Sequence, residues 1–233
     1  WLAADARTRG FMLGCTAGRT TLNGEGLQHQ DGHSHLMASA VPTVKAYDPA
    51  FAYETAIIVQ DGIRRMYEKQ EPGFYYLTLY NENYAMPAMP SGVQEGIING
   101  LYRFKSNDVD KSTARVQLLG SGPILRSVLE AQDILAEKYG IASDVWSVTS
   151  YKQLRLDALA ADRWNALHPG QSPRKSHLHQ QFEGVEGPFV SASDYVRLVS
   201  EQIAPWAPGQ YVALGTDGFG RSESREALRR FFE

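Results

Sequence analysis

The chain has 233 residues, 43% hydrophobic and 21% charged, enough to bury a core as one large domain or two small ones. A net charge of −3 and a pI near 6.1 argue against nucleic acid as a default partner, because phosphate binding calls for a basic face. One cysteine, Cys15, excludes an internal disulfide and fits a reduced compartment. No apolar run approaches the ~20 residues of a membrane span, and residues 1–5 carry no signal-peptide pattern. The chain begins without Met and ends on an uncapped helical pattern, so we expect it to be a piece of something longer.

In chain order, residues 1–13 (WLAADARTRGFML) are rich in helix formers and predict a helix. A polar, glycine-rich loop follows, and residues 41–47 (VPTVKAY) predict a strand with Pro42 near its start. Asp48-Pro49 predicts a helix start, with Asp as N-cap and Pro at N1, and the apolar positions 51, 52, 56, 59, 63 and 66 carry that helix to about Lys69. Residues 74–80 (FYYLTLY) predict a buried strand. Residues 81–92 hold two prolines and no period, which places a domain boundary near Pro90.

The second part begins with residues 96–104 (GIINGLYRF) leading to a polar turn. A strand at 115–119, a Pro-started helix closed by Gly140 and a strand at 144–149 describe a parallel crossover. Residues 151–167 predict a helix, and the polar connection after it, bearing His177 and His179, predicts a solvated loop. A strand at 188–192 precedes a helix that Ser193 caps, running to about Ala204. The last strand is 211–214, and Ser222 caps a final helix. Alternating strands and helices make the fold α/β.

The stretch with most chemistry is Gly18-Arg-Thr-Thr-Leu-Asn-Gly-Glu-Gly-Leu-Gln-His-Gln-Asp-Gly-His-Ser-His35, which holds half of the six histidines and no apolar period. Its glycines suit an irregular loop held by its surroundings. Glu25 and His29 are four apart; in a single turn they share a face, as a pair that moves protons near neutral pH would, or as a hydrogen bond that pins the loop. His33 and His35 have no carboxylate at a metal-site spacing and no Cys pair beside them, so we assign no metal to them. The turns at 120–123 (GSGP) and 215–220 (GTDGFG) lie where phosphates bind, but neither carries a phosphate-loop pattern, and both are expected to be structural. No Ser, Cys or Lys nucleophile stands at a recognised spacing from a base.

The loop at 18–35, with ADARTRGFMLG before it, resembles the homodimeric type of pyruvate dehydrogenase, the decarboxylating component of the bacterial complex. So do LYNENYAMPAMP (79–90), VQLLGSGPILR (116–126), SDVWSVTS (143–150), RWNALHP (163–169) and LGTDGFGRSESRE (214–226). The resemblance covers essentially the whole chain. It implies a transketolase-like architecture: residues 1–90 as the later part of a pyrimidine-binding domain, and 91–233 as a truncated transketolase C-terminal-like domain with a mixed, mostly parallel sheet.

It also implies thiamine diphosphate and Mg2+ as cofactors, pyruvate as substrate, the lipoyl domain of dihydrolipoyl acetyltransferase as partner, a homodimer and a bacterial cytoplasmic location. Glu25 and His29 match the family's residues beside the thiazolium side of the cofactor: His29 as donor to a substrate-derived oxygen, Glu25 as a proton-relay group. Gln28, His33 and His35 would support them or stabilise the loop. The family's Gly-Asp-Gly diphosphate segment is absent from the chain, so the chain alone is not expected to hold the cofactor tightly. Gln30 stands where an acidic residue is more usual, and Cys15 where glycine is. A relative acting on 2-oxobutanoate, or a non-catalytic module that builds the dimer, is the competing reading.

Overall fold

The computed structural model describes residues 1–23, 26–110 and 114–232. Two sheets, one in each half of the chain, form an α/β structure. In the first half a short helix, α1 (Leu2–Asp5), leads into β1 (Arg9–Cys15). After the glycine-rich loop come α2 (Ser34–Ala40), β2 (Val44–Tyr47), α3 (Ala52–Ile63) and β3 (Gly73–Leu79). The strands are parallel in the order β1-β3-β2, with β1 and β3 registered from Arg9 against Gly73 to Cys15 against Leu79.

In the second half α4 (Gln94–Asn99) precedes β4 (Leu101–Ser106) and β5 (Arg115–Gly120). Then follow α5 (Leu125–Tyr139), β6 (Ala142–Val148), α6 (Tyr151–Leu167), α7 (His177–Gln181), β7 (Phe189–Ala192), α8 (Leu198–Glu201), β8 (Tyr211–Leu214) and α9 (Arg225–Phe232). The sheet order is β4-β6-β5-β7-β8, with β4 antiparallel and the others parallel. A mixed, mostly parallel sheet is what was expected. Among the described residues no helix is long and apolar enough to cross a membrane.

Several local expectations give way to tertiary structure. Residues 9–15 are a strand rather than the second half of a helix, because the parallel ladder to β3 supplies every alternate backbone partner. Asp48 does not cap α3. That helix starts at Ala52, and the Glu54 carboxylate accepts from the amides of Ala50 (2.6 Å) and Phe51 (3.1 Å). The α-helix ends at Ile63, and a π-helical turn continues it over Arg64–Glu68. The connection bearing His177 and His179 folds into α7 instead of a solvated loop. His177 Nε2 lies 2.8 Å from the Leu101 carbonyl, and Ser176 caps the helix by accepting from the His179 amide. Ser193 is buried and precedes only the four-residue α8, and Ser224, not Ser222, accepts from the amide of Ala227 at the start of α9.

Two apolar clusters join the halves. Tyr47, Ile58, Met66, Tyr75 and Leu77 pack against Ile97 and Tyr102, while Ala50 and Phe51 pack against Leu118, Ile124, Leu125 and Val145. Polar staples cross the same seam. The fully buried Glu54 also accepts from the hydroxyls of Tyr102 (2.7 Å) and Ser147 (2.6 Å). Lys152, at the start of α6, donates to the carbonyls of Ala38, Val41 and Val44 at 2.6–2.8 Å, and burial lowers its ammonium to about 8. These contacts tie β2, β3 and α3 of the first half to α4, β4, β5, β6 and α6 of the second.

Candidate functional site

The glycine-rich loop leaves the end of β1 and returns at α2, and its stem is held by the other half of the chain. Three consecutive amides, of Arg19 (2.8 Å), Thr20 (2.8 Å) and Thr21 (3.1 Å), donate to the Asp194 carboxylate just beyond β7. The hydroxyls of Thr20 (2.7 Å) and Thr21 (2.5 Å) donate to it as well. Burial pushes the Asp194 carboxyl up, and these donors pull it back toward the ionised form. Gly18 is required here: its φ is +87°, and a Cβ would overlap the Asp194 carboxylate and the Thr21 hydroxyl.

The returning strand of the stem is locked too. Gln30 uses both ends of its carboxamide: Nε2 donates to the Arg19 carbonyl (3.1 Å), and Oε1 accepts from the Arg221 amide (2.6 Å). The Val196 amide donates to the Gly32 carbonyl at 3.1 Å. The buried Arg19 guanidinium donates to the Thr216 carbonyl and lies 3.3 Å from His33 Nδ1, and it packs so close to Gly32 that no Cβ fits between them. Burial lowers the pKa of this guanidinium, against the attraction of Asp194, Asp31 and Asp217.

Beneath the loop lies a buried polar network. His35 Nε2 sits 3.1 Å from Thr78 Oγ1, and Thr78 donates to Asp48 (2.7 Å). The same carboxylate accepts from Tyr80 and from Ser121 (2.7 Å), and the Tyr80 and Tyr195 hydroxyls meet at 2.8 Å. The Tyr195 ring packs edge-on to the His35 ring at 4.8 Å. Burial lowers the His35 pKa, so the imidazole is held neutral, and burial followed by Asp48 drives the Tyr80 and Tyr195 phenols well above their ordinary range. The GSGP turn is consumed here, since the Ser121 hydroxyl and the Gly122 amide (3.1 Å) both bond to Asp48.

The structure therefore distributes the sequence candidates over three environments. His29 and Gln28 lie on the tip, in the 3₁₀ turn Leu27–His29, and both are exposed. His33 is exposed on the stem beside Arg19, and His35 is buried in the network below. Glu25 lies outside the described residues. Chemically, the tip presents an imidazole and a carboxamide at the surface, on a stem whose two strands are hydrogen-bonded to the second half of the chain. Among the described residues no group of three His, Cys, Asp or Glu side chains could hold a metal ion. The described residues of the loop do not fit a Mg2+ site.

Sequence reasoning missed Asp194, Arg19, Thr20 and Thr21. A signal was present: an acidic residue directly after a parallel strand, SASD at 191–194, and a run of donors in Arg-Thr-Thr behind a glycine. Nothing local joins the two, because Arg19 and Asp194 are 175 residues apart.

Residues 1–87 match the family described as "Pyruvate dehydrogenase E1 component middle domain", and residues 100–233 match "Transketolase-like TK C-terminal domain". The chain is 55% identical over 234 residues to the pyruvate dehydrogenase E1 component of Pseudomonas aeruginosa, and 53% identical over 235 residues to that of Escherichia coli K12. Each alignment covers 100% of the chain and 26% of the relative, so the chain spans about a quarter of the length of the curated relatives it matches. Among solved structures, the transketolase of Campylobacter jejuni superposes with a TM-score of 0.72 at 18% identity, covering 99% of this chain and 30% of that one. The transketolase of Leishmania mexicana gives 0.69 at 18% identity, over 99% and 29%. At that identity these two show the fold alone.

Proposed function

Because the chain belongs to the transketolase-like family, joining a pyruvate dehydrogenase E1 component middle domain to a transketolase-like C-terminal domain, we propose that it is part of a pyruvate-decarboxylating, acetyl-transferring enzyme. The parent protein uses thiamine diphosphate, with Mg2+ held by residues elsewhere, and passes the acetyl group to the lipoyl domain of dihydrolipoyl acetyltransferase. It works as a bacterial, cytoplasmic homodimer. The boundary between the two parts falls near residue 90, in a segment without regular secondary structure. The observation that carries the reading is the 55% identity to a protein named pyruvate dehydrogenase E1 component along the full length of this chain.

When bound, the cofactor supplies the nucleophilic carbon and the electron sink for loss of the carboxylate. The chain's own part is narrower. His29 donates a hydrogen bond from the loop tip to a substrate-derived oxygen, orienting it for the reaction. Glu25, four residues earlier, relays a proton between the site and solvent. Asp194 and Gln30 hold the stem, and the buried network around Asp48 keeps the loop's floor closed to water.

In the full-length protein, His29→Ala should lower pyruvate turnover by the ~10²–10⁴ typical of a positioned acid–base group. Turnover equal to wild type would remove His29 from the site. A comparison of pyruvate with 2-oxobutanoate fixes the substrate, and faster use of 2-oxobutanoate would overturn the pyruvate assignment.

A further inference from the structure

We propose that Asp194 is a positioning residue for His29, so that the second half of the chain sets the geometry of a tip carried by the first. This rests on the reading that His29 serves the site. Five donors from three consecutive residues converge on one buried carboxylate, and all of them belong to the outgoing strand of the loop stem. The donors divide over both oxygens, Thr20 on one and Arg19 and Thr21 on the other, and together fill the lone-pair directions of the carboxylate, which fixes the backbone at residues 19–21.

The returning strand is tied to the same region. Gly32 is bonded by Val196, two residues beyond Asp194, and Gln30 by Arg221. The Thr216 hydroxyl in turn donates to the Asp194 carbonyl at 3.0 Å, and Thr216 offers its own carbonyl to Arg19. Both strands of the stem thus end on residues 194–196 and 216–221, while the turn Leu27–His29 between them is exposed. The direction in which the turn Leu27–His29 is presented is therefore set by residues of the second half. Asp194 touches no substrate in this scheme and acts through the loop.

The test is a double-mutant cycle on turnover in the full-length protein. Asp194→Asn keeps the shape but turns one acceptor oxygen into a donor that faces the Thr amide and hydroxyl donors. In an otherwise wild-type protein it should lower kcat by about 10–100-fold with little change in KM, the scale of an ångström-level misplacement. In the His29→Ala background the same change should cost less than about twofold, because the group being positioned is gone. Should Asp194→Asn fail to fold, Thr21→Val, which removes one hydroxyl donor at constant shape, enters the same cycle with a smaller expected loss. An equal loss in both backgrounds overturns the proposal and assigns Asp194 to general folding. An unchanged kcat in Asp194→Asn also overturns it. A fully active His29→Ala enzyme overturns the reading of the site itself, and the two failures are told apart by that single variant.

Discussion

Two histidines six residues apart, one on the loop tip and one in the first turn of α2, meet opposite environments. His29 stands exposed on the tip, whereas His35 is buried under the stem between Thr78, Tyr76 and Tyr195. The tip has the access that chemistry requires. The base has the packing that keeps the tip in place, and a neutral ring is what such packing tolerates. Residue type therefore says little about role here, and solvent access says more.

The largest effect should fall on turnover at the tip. His29→Ala, with its expected ~10²–10⁴ loss of turnover, should leave the urea unfolding midpoint of the full-length protein near wild type, since an exposed side chain contributes little to stability. A midpoint lowered as much as by a core substitution would erase the contrast between tip and base.

Next in size is the floor. Asp48→Ala strips the acceptor from Thr78, Tyr80 and Ser121 together, and at ~1–3 kcal/mol for each stranded donor the loss should reach about 3–5 kcal/mol in denaturant unfolding. Loss below about 1 kcal/mol would mean the network is not a structural floor.

A smaller effect should show the buried state of His35 through pH. The His35 pKa is lowered in the folded protein from its ordinary 6.5, because burial disfavours the charged ring. The sign follows: above pH 6.5 both states carry the neutral ring and stability is whole. Below it the unfolded chain takes up a proton that the folded one resists, and stability is lost as pH falls. Unfolding midpoints measured between pH 7 and 5 should therefore decline, and His35→Asn should flatten that decline. Equal slopes in the wild-type protein and His35→Asn would contradict the assignment.

Smallest is Gln30→Glu. The carboxylate could still accept from Arg221 but would face the Arg19 carbonyl without a proton to give. A cost of about 1 kcal/mol, or ~2–4 °C in melting temperature, is expected. No change would show that the usual acidic residue is as well accommodated as this carboxamide.

Much of the fold was legible from residue pattern. The helix at 151–167 and the strand at 211–214 lie where periodicity and β-branched content put them, and the unit running from β5 through α5 to β6 closes at Gly140 as expected. The loop at 18–35 was also legible as the place of chemistry, since polar density without a period is a local property. Residues 9–15 were not legible. The helix formers just before them dominate any short window, and only the ladder to β3, formed across more than 60 residues, decides for strand.

Asp48 shows where sequence and structure divide. By itself the sequence determined element type wherever short-range propensity and hydrophobic spacing agreed, and it determined the family through its motif strings. An Asp before a Pro fits a helix cap, and nothing in the neighbouring residues says that Thr78, Tyr80 and Ser121 will claim its carboxylate instead. Tertiary structure alone decided such pairings, and with them which histidine is sheltered, which is presented and which aspartate holds the stem. The reason is physical: a buried charge takes its partners from whatever donors packing brings within about 3 Å, and packing is a property of the whole chain.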